Sequence, residues 1–480
     1  MGSDNTHSLA DIQDFGRGDA YKDDRLYDCF LDTPVYAKAM QGLILMVEGG
    51  KGSGKSAILK YIEQNCKKNR DQCFSLLLSD KDYKAGLGKA NLTETDTDNI
   101  TEMWTSNLWV ELIKTINAER EQFPAHVKTH LDRIANLIKY NMEVNQDFIP
   151  RFVRFLKRIT NIEIPYIGGG IELKPISNHF VEKLAAIKTH VKKVLRTKKV
   201  FLLIDDTDSF LNVLNQKYRV ISGLIGAADG LREELLSSED SLKDLVILVS
   251  IRSDILSEIS VTYDRINNLR DFIKQLKWDQ QELKNLIAKR IKEPRGLDCD
   301  ADTAWNLVFE QQQNGKAVST FDYVLERSFY RPRDMIQFCN LALEEAKSSN
   351  NKKITMQNIK DAEKIYSKQK YEDLSAEYLH KYGEKLSDTL LAPFRNSKAN
   401  LSAFDLEDTI IRKIITGKAK PTWLRPETTK EDVIEIMYQI GILGVREGAD
   451  CVFSFQKEIK DFEDKEFQIH KAFHRYLNIS

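Results

Sequence analysis

Apolar residues in this chain fall into short continuous runs separated by longer stretches of helical periodicity. Four runs, at 43–47, 73–78, 200–204 and 245–250, read as β-strands. A strand covered on both faces is apolar throughout, whereas a half-exposed strand alternates. Helical spacing marks 55–68, 100–120, 282–290, 335–346, 353–370 and 432–440. Strands alternating with helices predict an α/β fold with a parallel sheet. The long stretch 81–195 is mostly helical and is expected to be an insertion in that core. Within it, 162–173 shows two apolar runs split by Gly168, Gly169 and Gly170, the pattern of a β-hairpin.

At the N-terminus, 1–14 is polar and reads as a loose end. Leu26 and Phe30 in 15–42 recur at helical spacing, so this segment is expected to cap the core. Gly16, Arg17 and Asp19 are the weaker alternative, a base pocket. Beyond 371 the pattern is compact and helical. The helix at 432–440 is followed by Gly441 and Gly444 and a short strand at 451–455, the helix-then-hairpin order of a winged helix. The expected division is a core at 1–275, a helical lid at 276–370 and a winged-helix-like domain at 371–480.

The first strand runs into Gly49, Gly50, Lys51, Gly52, Ser53, Gly54, Lys55 and Ser56, and Ala57 opens a helix. This is G-x-x-x-x-G-K-[ST] between a strand and a helix, the context a phosphate-binding loop requires. Phosphate oxygens need several N–H donors aimed at one point. Gly49, Gly52 and Gly54 allow the tight turn, and the helix start adds donors and a positive dipole end. Lys55 is expected at the β- and γ-phosphates, and the Ser56 hydroxyl on Mg²⁺.

The strand at 200–204 ends in Asp205, Asp206, Thr207 and Asp208. A carboxylate at a strand tip beside the loop suits the magnesium water shell, and a second suits activation of the attacking water. Asp205 is assigned to the metal and Asp206 to the base, with Asp208 as support or alternative base. The strand at 245–250 leads to Arg252 and Asp254. Arg252 is read as a γ-phosphate sensor, against the plainer reading of an ion pair with Asp254. Arg331 and Arg333 flank Pro332 at a helix start, where they reach a nucleotide from a lid or simply cap and pair.

Composition narrows the function. The chain has 480 residues, net charge −1, and charged residues at 30%. Bulk charge therefore gives no polyanion binder, although Lys188, Lys192, Lys193, Arg196, Lys198 and Lys199 form a local basic run. Six cysteines without a C-x-x-C pair point to reduced thiols and a cytoplasmic setting, not to zinc. No apolar run is long enough for a membrane span. The lack of N-K-x-D argues against a GTPase of the usual kind, and the lack of L-S-G-G-Q against an ABC-type ATPase.

Taken together, GGKGSGKS, FLLIDDTDSF, SIRSD, LKWDQQELKNLIAKRI and RPRDMI resemble the STAND branch of AAA+-related P-loop ATPases, in particular bacterial ones of uncharacterised or defence-associated type. The resemblance implies a parallel-sheet P-loop NTPase core with a helical insertion, then a helical lid and a winged helix. It implies ATP and Mg²⁺ between core and lid, Arg252 in the sensor position and Arg333 as a lid contact, although RPRD replaces the commoner Gly-x-Pro. The implied role is a slow or partner-stimulated ATPase that switches a separate effector protein, with self-association open. The alternative is an ATP-gated DNA-binding protein; Glu431, Asp432, Glu435, Glu447 and Asp450 in the C-terminal module argue against it. A third reading is a nucleotide-binding scaffold without turnover, which Lys55 and the paired aspartates oppose.

Overall fold

The computed structural model describes residues 9, 12–79, 97–140, 178–207, 217–237, 242, 244–311, 318–416, 421–448 and 450–480. Asp80, Asp208 and the hairpin expected at 162–173 lie outside them. The chain groups into two compact units: Asp32–Gly50 with Gly54–Leu276, and Met1–Leu31 with Lys51–Ser53 and Lys277–Ser480.

The first unit is built on five strands, β1 (Met46–Gly49), β2 (Cys73–Leu78), β3 (Lys199–Ile204), β4 (Leu245–Arg252) and β5 (Ile273–Gln275). All pair in parallel, in the order β2-β3-β4-β1-β5. The four apolar runs are four of the five strands; β3 and β4 are buried at nearly every residue, whereas the edge strand β2 alternates between buried and half-buried positions. β5 escaped the pattern because three residues with one β-branched side chain carry no period. This order separates β3 from β1. β4 lies between them, with Met46 opposite Val249 and Gly49 opposite Arg252.

Helices α1 (Lys55–Lys68), α2 (Thr97–Ala118), α3 (Lys128–Tyr140), α4 (Asn178–Leu195) and α5 (Lys217–Leu236) are the longest of this unit. The described parts of 81–195 are helical, but they share the core of the sheet. Trp104, Trp109, Leu112 and Ile116 of α2, Ile134 of α3 and Val191 of α4 are buried in one cluster with Phe74 and Leu202. Trp104 also donates its indole N–H to Val220 O at 3.1 Å. With this many apolar faces, α2 has to be covered on most sides.

In the second unit, α6 (Gln280–Lys292), α7 (Ala301–Val308), α8 (Pro332–Ser348) and α9 (Met356–Tyr382) surround an apolar core that continues into the C-terminal part. Asp279 with Glu282, and Thr355 with Asn358, form capping boxes that fix the starts of α6 and α9. Two expected limits shift. Position 370 falls inside α9, whose 27 residues run without interruption, so lid and C-terminal part share one core. Residues 12–31 group with this unit and not with the sheet. Phe15 stacks on Phe309 at 5.9 Å, and Asp23 forms a buried ion pair with Arg290 at 2.7 Å.

The C-terminal part contains β6 (Asn400–Ser402), α10 (Lys430–Gln439), β7 (Leu443–Glu447), β8 (Asp450–Val452) and β9 (Glu466–Ile469). The strands form an antiparallel sheet in the order β6-β9-β7-β8. Helix then hairpin is thus present as α10, β7 and β8, and two further strands join it.

His470 sits 1% exposed beside β9, parallel to the Phe329 ring at 4.1 Å, with its Nδ1 accepting from Ala472 N. Burial pushes the imidazole down to about 3 from 6.5. The unfolded chain takes up this proton first, so the stability contribution is complete above 6.5 and lost as pH falls toward 3. Denaturant midpoints measured between pH 7.5 and 4.5 are expected to fall for the wild type and to fall less steeply for His470→Gln.

Candidate nucleotide site

β1 ends at Gly49 in extended form, and the turn that follows is made by Gly52 (φ +84°) and Gly54 (φ +102°). Left-handed backbone at both positions requires residues without a Cβ. Gly49 was expected to share in this turn but belongs to the strand. Gly54 is the N-cap of α1, and no side chain caps that helix. Its first-turn N–H groups are therefore available to an anion.

Lys55 is 9% exposed, and its ammonium donates to Gly49 O and Gly50 O, both at 2.9 Å. Ser53 is 4% exposed, and its Oγ is buried without a hydrogen-bond partner. A buried hydroxyl left unpaired costs free energy that an incoming acceptor would recover. Ser53 O accepts the indole N–H of Trp278 at 2.7 Å, which ties the loop's tip to the start of α6. Ser56 and Ala57 occupy the first turn of α1, both half-buried.

Asp205 extends β3 and is 1% exposed; its N–H donates to Leu78 O at 2.8 Å. Its carboxylate accepts the hydroxyl of Ser250, on the adjacent strand β4. Thr207 Oγ1 donates to Ser250 O at 3.0 Å. Asp206, half-buried, adopts φ +51°. Aspartate tolerates this region better than most residues, which places two acids side by side at a strand tip. Ser250 was missed by sequence reasoning, although a polar residue ending an apolar run was its visible signal.

Arg252 is 7% exposed and bidentate on Asp254, Nε at 2.9 Å and Nη2 at 2.8 Å. The ion-pair reading of Arg252 thus describes its contacts in this structure, while its register opposite Gly49 keeps it at the level of the loop. The basic run is largely engaged within its own unit. Lys188 and Lys192 pair with Glu234, Lys198 donates to Arg70 O, and Lys199 donates to Met40 O.

In the second unit, Arg333 N donates to Gly52 O at 3.4 Å and its Nε to Gly18 O at 2.9 Å. Beside it lies a cavity of about 410 Å³ whose lining includes Arg17, Asp19, Lys51, Arg331, Arg333 and Lys370. Gly16 instead packs on Arg290. Arg331 pairs with Glu377 at 3.2 Å, and Lys370 with Asp334 at 2.9 Å and Asp373 at 2.6 Å. Burial alone would raise the Asp334 carboxyl, but Lys370 and Arg331 outweigh it and hold it below the usual range. For Lys370 the balance is reversed in sign: burial depresses it, and Asp334 and Asp373 push it up. Arg331 is therefore spent on an ion pair, whereas Arg333 contacts only carbonyls among the described residues.

Two family models match parts of the chain. Residues 28–217 match the KAP family P-loop domain, and residues 281–375 match the FunZ-associated C-terminal helical domain. A protein of Escherichia coli (strain K12), named for the transposon gamma-delta and a mass of 80.3 kDa, is 22% identical over 91% of this chain and 62% of its own length. Allergen Alt a 2 of Alternaria alternata is 32% identical over 26% of this chain and 63% of its own length. The chain thus spans about three fifths of the curated relatives it matches. Among solved structures, the Aeropyrum pernix ORC2 protein in ADPNP–ADP complexes aligns at TM-score 0.41 and 12% identity, covering 95% of this chain and 97% of that one. The Aeropyrum pernix ORC1 protein in complex with DNA aligns at TM-score 0.36 and 12% identity, covering 96% of each chain. The match to a P-loop domain over residues 28–217 agrees with the phosphate-binding loop seen here, Gly52 and Gly54 in left-handed backbone ahead of an uncapped helix start. No helix among the described residues is long and apolar enough to cross a membrane.

Removing one partner of a buried ion pair leaves an uncompensated charge, at a cost of about 3–5 kcal/mol. Asp334→Ala is expected to lose less than this in denaturant unfolding, because Lys370, 5% exposed, keeps Asp373 at 2.6 Å as a second partner, and Asp334→Ala with Asp373→Ala is expected to reach the full scale.

Proposed function

We propose that this chain is an ATPase and a nucleotide-dependent switch whose output is assembly with, or release of, a separate effector protein. The observation that carries the reading is the loop itself: a buried Lys55 ammonium resting on carbonyl oxygens, beside an uncapped helix start. The uncapped N–H groups are donors that a polyphosphate would satisfy, and the ammonium lies beside them. Lys55 would bind the β- and γ-phosphates, with the backbone of Gly50, Lys51, Gly52, Ser53, Gly54, Ser56 and Ala57 around them. Asp206 would accept the proton of the attacking water, with Asp208 as the alternative base. Arg252, held in plane by Asp254, would sense the γ-phosphate, and Arg333 is the further nucleotide contact that the sequence resemblance implies.

Ser56 and Asp205 suit Mg²⁺, since a hydroxyl and a carboxylate are hard oxygen donors and Ser250 already fixes the Asp205 side chain. The ion would neutralise charge on the phosphates. Turnover is expected to be slow until a partner completes the charge clamp. Self-association and a bacterial defence setting belong to the same reading and rest on the sequence resemblance.

The second reading, an ATP-gated DNA-binding protein, uses α10 and the β7–β8 hairpin as a winged helix. Its charges disfavour it. Lys430 is paired with Glu407 at 2.7 Å and Lys457 with Glu447 at 2.7 Å, and α10 opens with Glu431 and Asp432.

ATP turnover should fall about 100-fold or more in Lys55→Ala and in Asp206→Asn, each of which removes a group used in the transition state. Asparagine tolerates the backbone of position 206, so that variant is expected to keep its fold. Size-exclusion runs with ATP and with ADP should differ if nucleotide controls assembly. Stimulation of turnover by duplex DNA, lost at high salt, would favour the second reading. Unchanged turnover in both variants would overturn the site.

A further inference from the structure

Arg333 is held by backbone on two sides. Its stem lies in a slot between two glycines. A Cβ on Gly18 would come within 2.9 Å of Arg333 Cγ, and one on Gly52 within 3.0 Å of Arg333 Cβ and 3.2 Å of Cδ. The Nε proton is spent on Gly18 O at 2.9 Å. The two terminal Nη groups make no hydrogen bond or ion pair among the described residues, and Arg333 lines the cavity described above. A guanidinium fixed through Nε with its fork open is arranged for bidentate binding of an oxyanion.

The strand of chain that supplies Gly18 is itself clamped at positions away from Arg333. Asp23 and Arg290, at 2% and 4% side-chain exposure, meet at 2.7 Å and 3.3 Å. Arg290 Nη1 also donates to Phe15 O at 3.0 Å. The Asn340 side chain accepts from Phe15 N at 2.7 Å and donates to Gly16 O at 2.9 Å, so it pairs with backbone as a neighbouring strand would. Gly16 has φ +94°, and a Cβ there would fall 1.9 Å from Arg290 Nη1. The turn therefore admits only glycine while the ion pair stands.

We propose that residues 15–23 form a brace that positions Arg333: Arg290 and Asn340 hold the segment, and Gly18 sets the rotamer and plane of the guanidinium. Gly18, Asp23 and Arg290 are positioning residues, acting on the nucleotide through Arg333. The inference rests on the reading of Arg333 as a phosphate contact.

A double-mutant cycle tests it, using the full chain and calorimetric titration with ATP and ADP in Mg²⁺. Gly18→Ala and Arg333→Ala should each weaken ATP binding about tenfold or more, the worth of a charge-assisted contact. ADP binding should change less, since it lacks the terminal phosphate. In the double variant the Gly18→Ala effect should vanish, because the side chain it displaces is gone. Arg333→Lys keeps the charge but loses the Nε donor to Gly18 O, and it should bind ATP as weakly as Arg333→Ala.

Additive losses in the double variant, or wild-type binding by Gly18→Ala while Arg333→Ala is weak, would overturn the brace and leave the Arg333 reading standing. Recovery of wild-type binding by Arg333→Lys would also overturn it, and this arm holds even if Gly18→Ala fails to fold. Wild-type binding by Arg333→Ala would remove the Arg333 reading, and the brace with it.

Discussion

The ammonium of Lys55 is the constraint around which the sheet unit is arranged. A cation buried to this degree needs oxygen at short range, since desolvation is otherwise too costly. Gly49 O and Gly50 O supply it, and they can turn inward only because the chain reverses immediately afterwards through Gly52 and Gly54. The same reversal leaves the first turn of α1 uncapped. Sheet order follows the same logic. With β4 between β1 and β3, Asp205 gains the Ser250 hydroxyl and Arg252 comes level with Gly49.

The second unit solves a different problem, that of holding many charges in an apolar core. Arg331 with Glu377, Lys370 with Asp334, Arg290 with Asp23 and Arg327 with Glu363 are all paired with little exposure. Such pairs add little net stability over apolar packing, but they strongly penalise any arrangement that separates them. They consume the acids near α8 and α9 and leave Arg333 and Lys51 without a carboxylate among the described residues. A wall that spends its acids and keeps two cations open favours an anion.

Much of this was legible in the sequence. The phosphate loop announced itself by glycine spacing, and α1 and β2 appear with the expected limits, because strong periodicity and turn residues bound them. Asp205 and Asp206 were visible as acids ending an apolar run. Strand order was not visible: the pattern records that β3 and β4 are buried, not which one touches β1. The place of residues 12–31 was hidden for a similar reason. Its anchors, Arg290, Phe309 and Asn340, lie roughly 270 to 325 positions away, and no local period encodes contacts so distant. Helix α9 misled the boundary at 370 because its apolar face changes partners while the helix continues. The pairing of Arg252 with Asp254 was weighed as an alternative, and spacing alone could not rank it against the sensor role.

The most direct measurement of the central claim is calorimetric titration of the wild-type chain with ATP, in Mg²⁺ and again with the metal chelated. The account predicts saturable binding at one site per chain, weakened when the metal is removed. If ATP produces no binding signal at millimolar concentration while the chain remains folded, the loop is not a nucleotide site and the account fails.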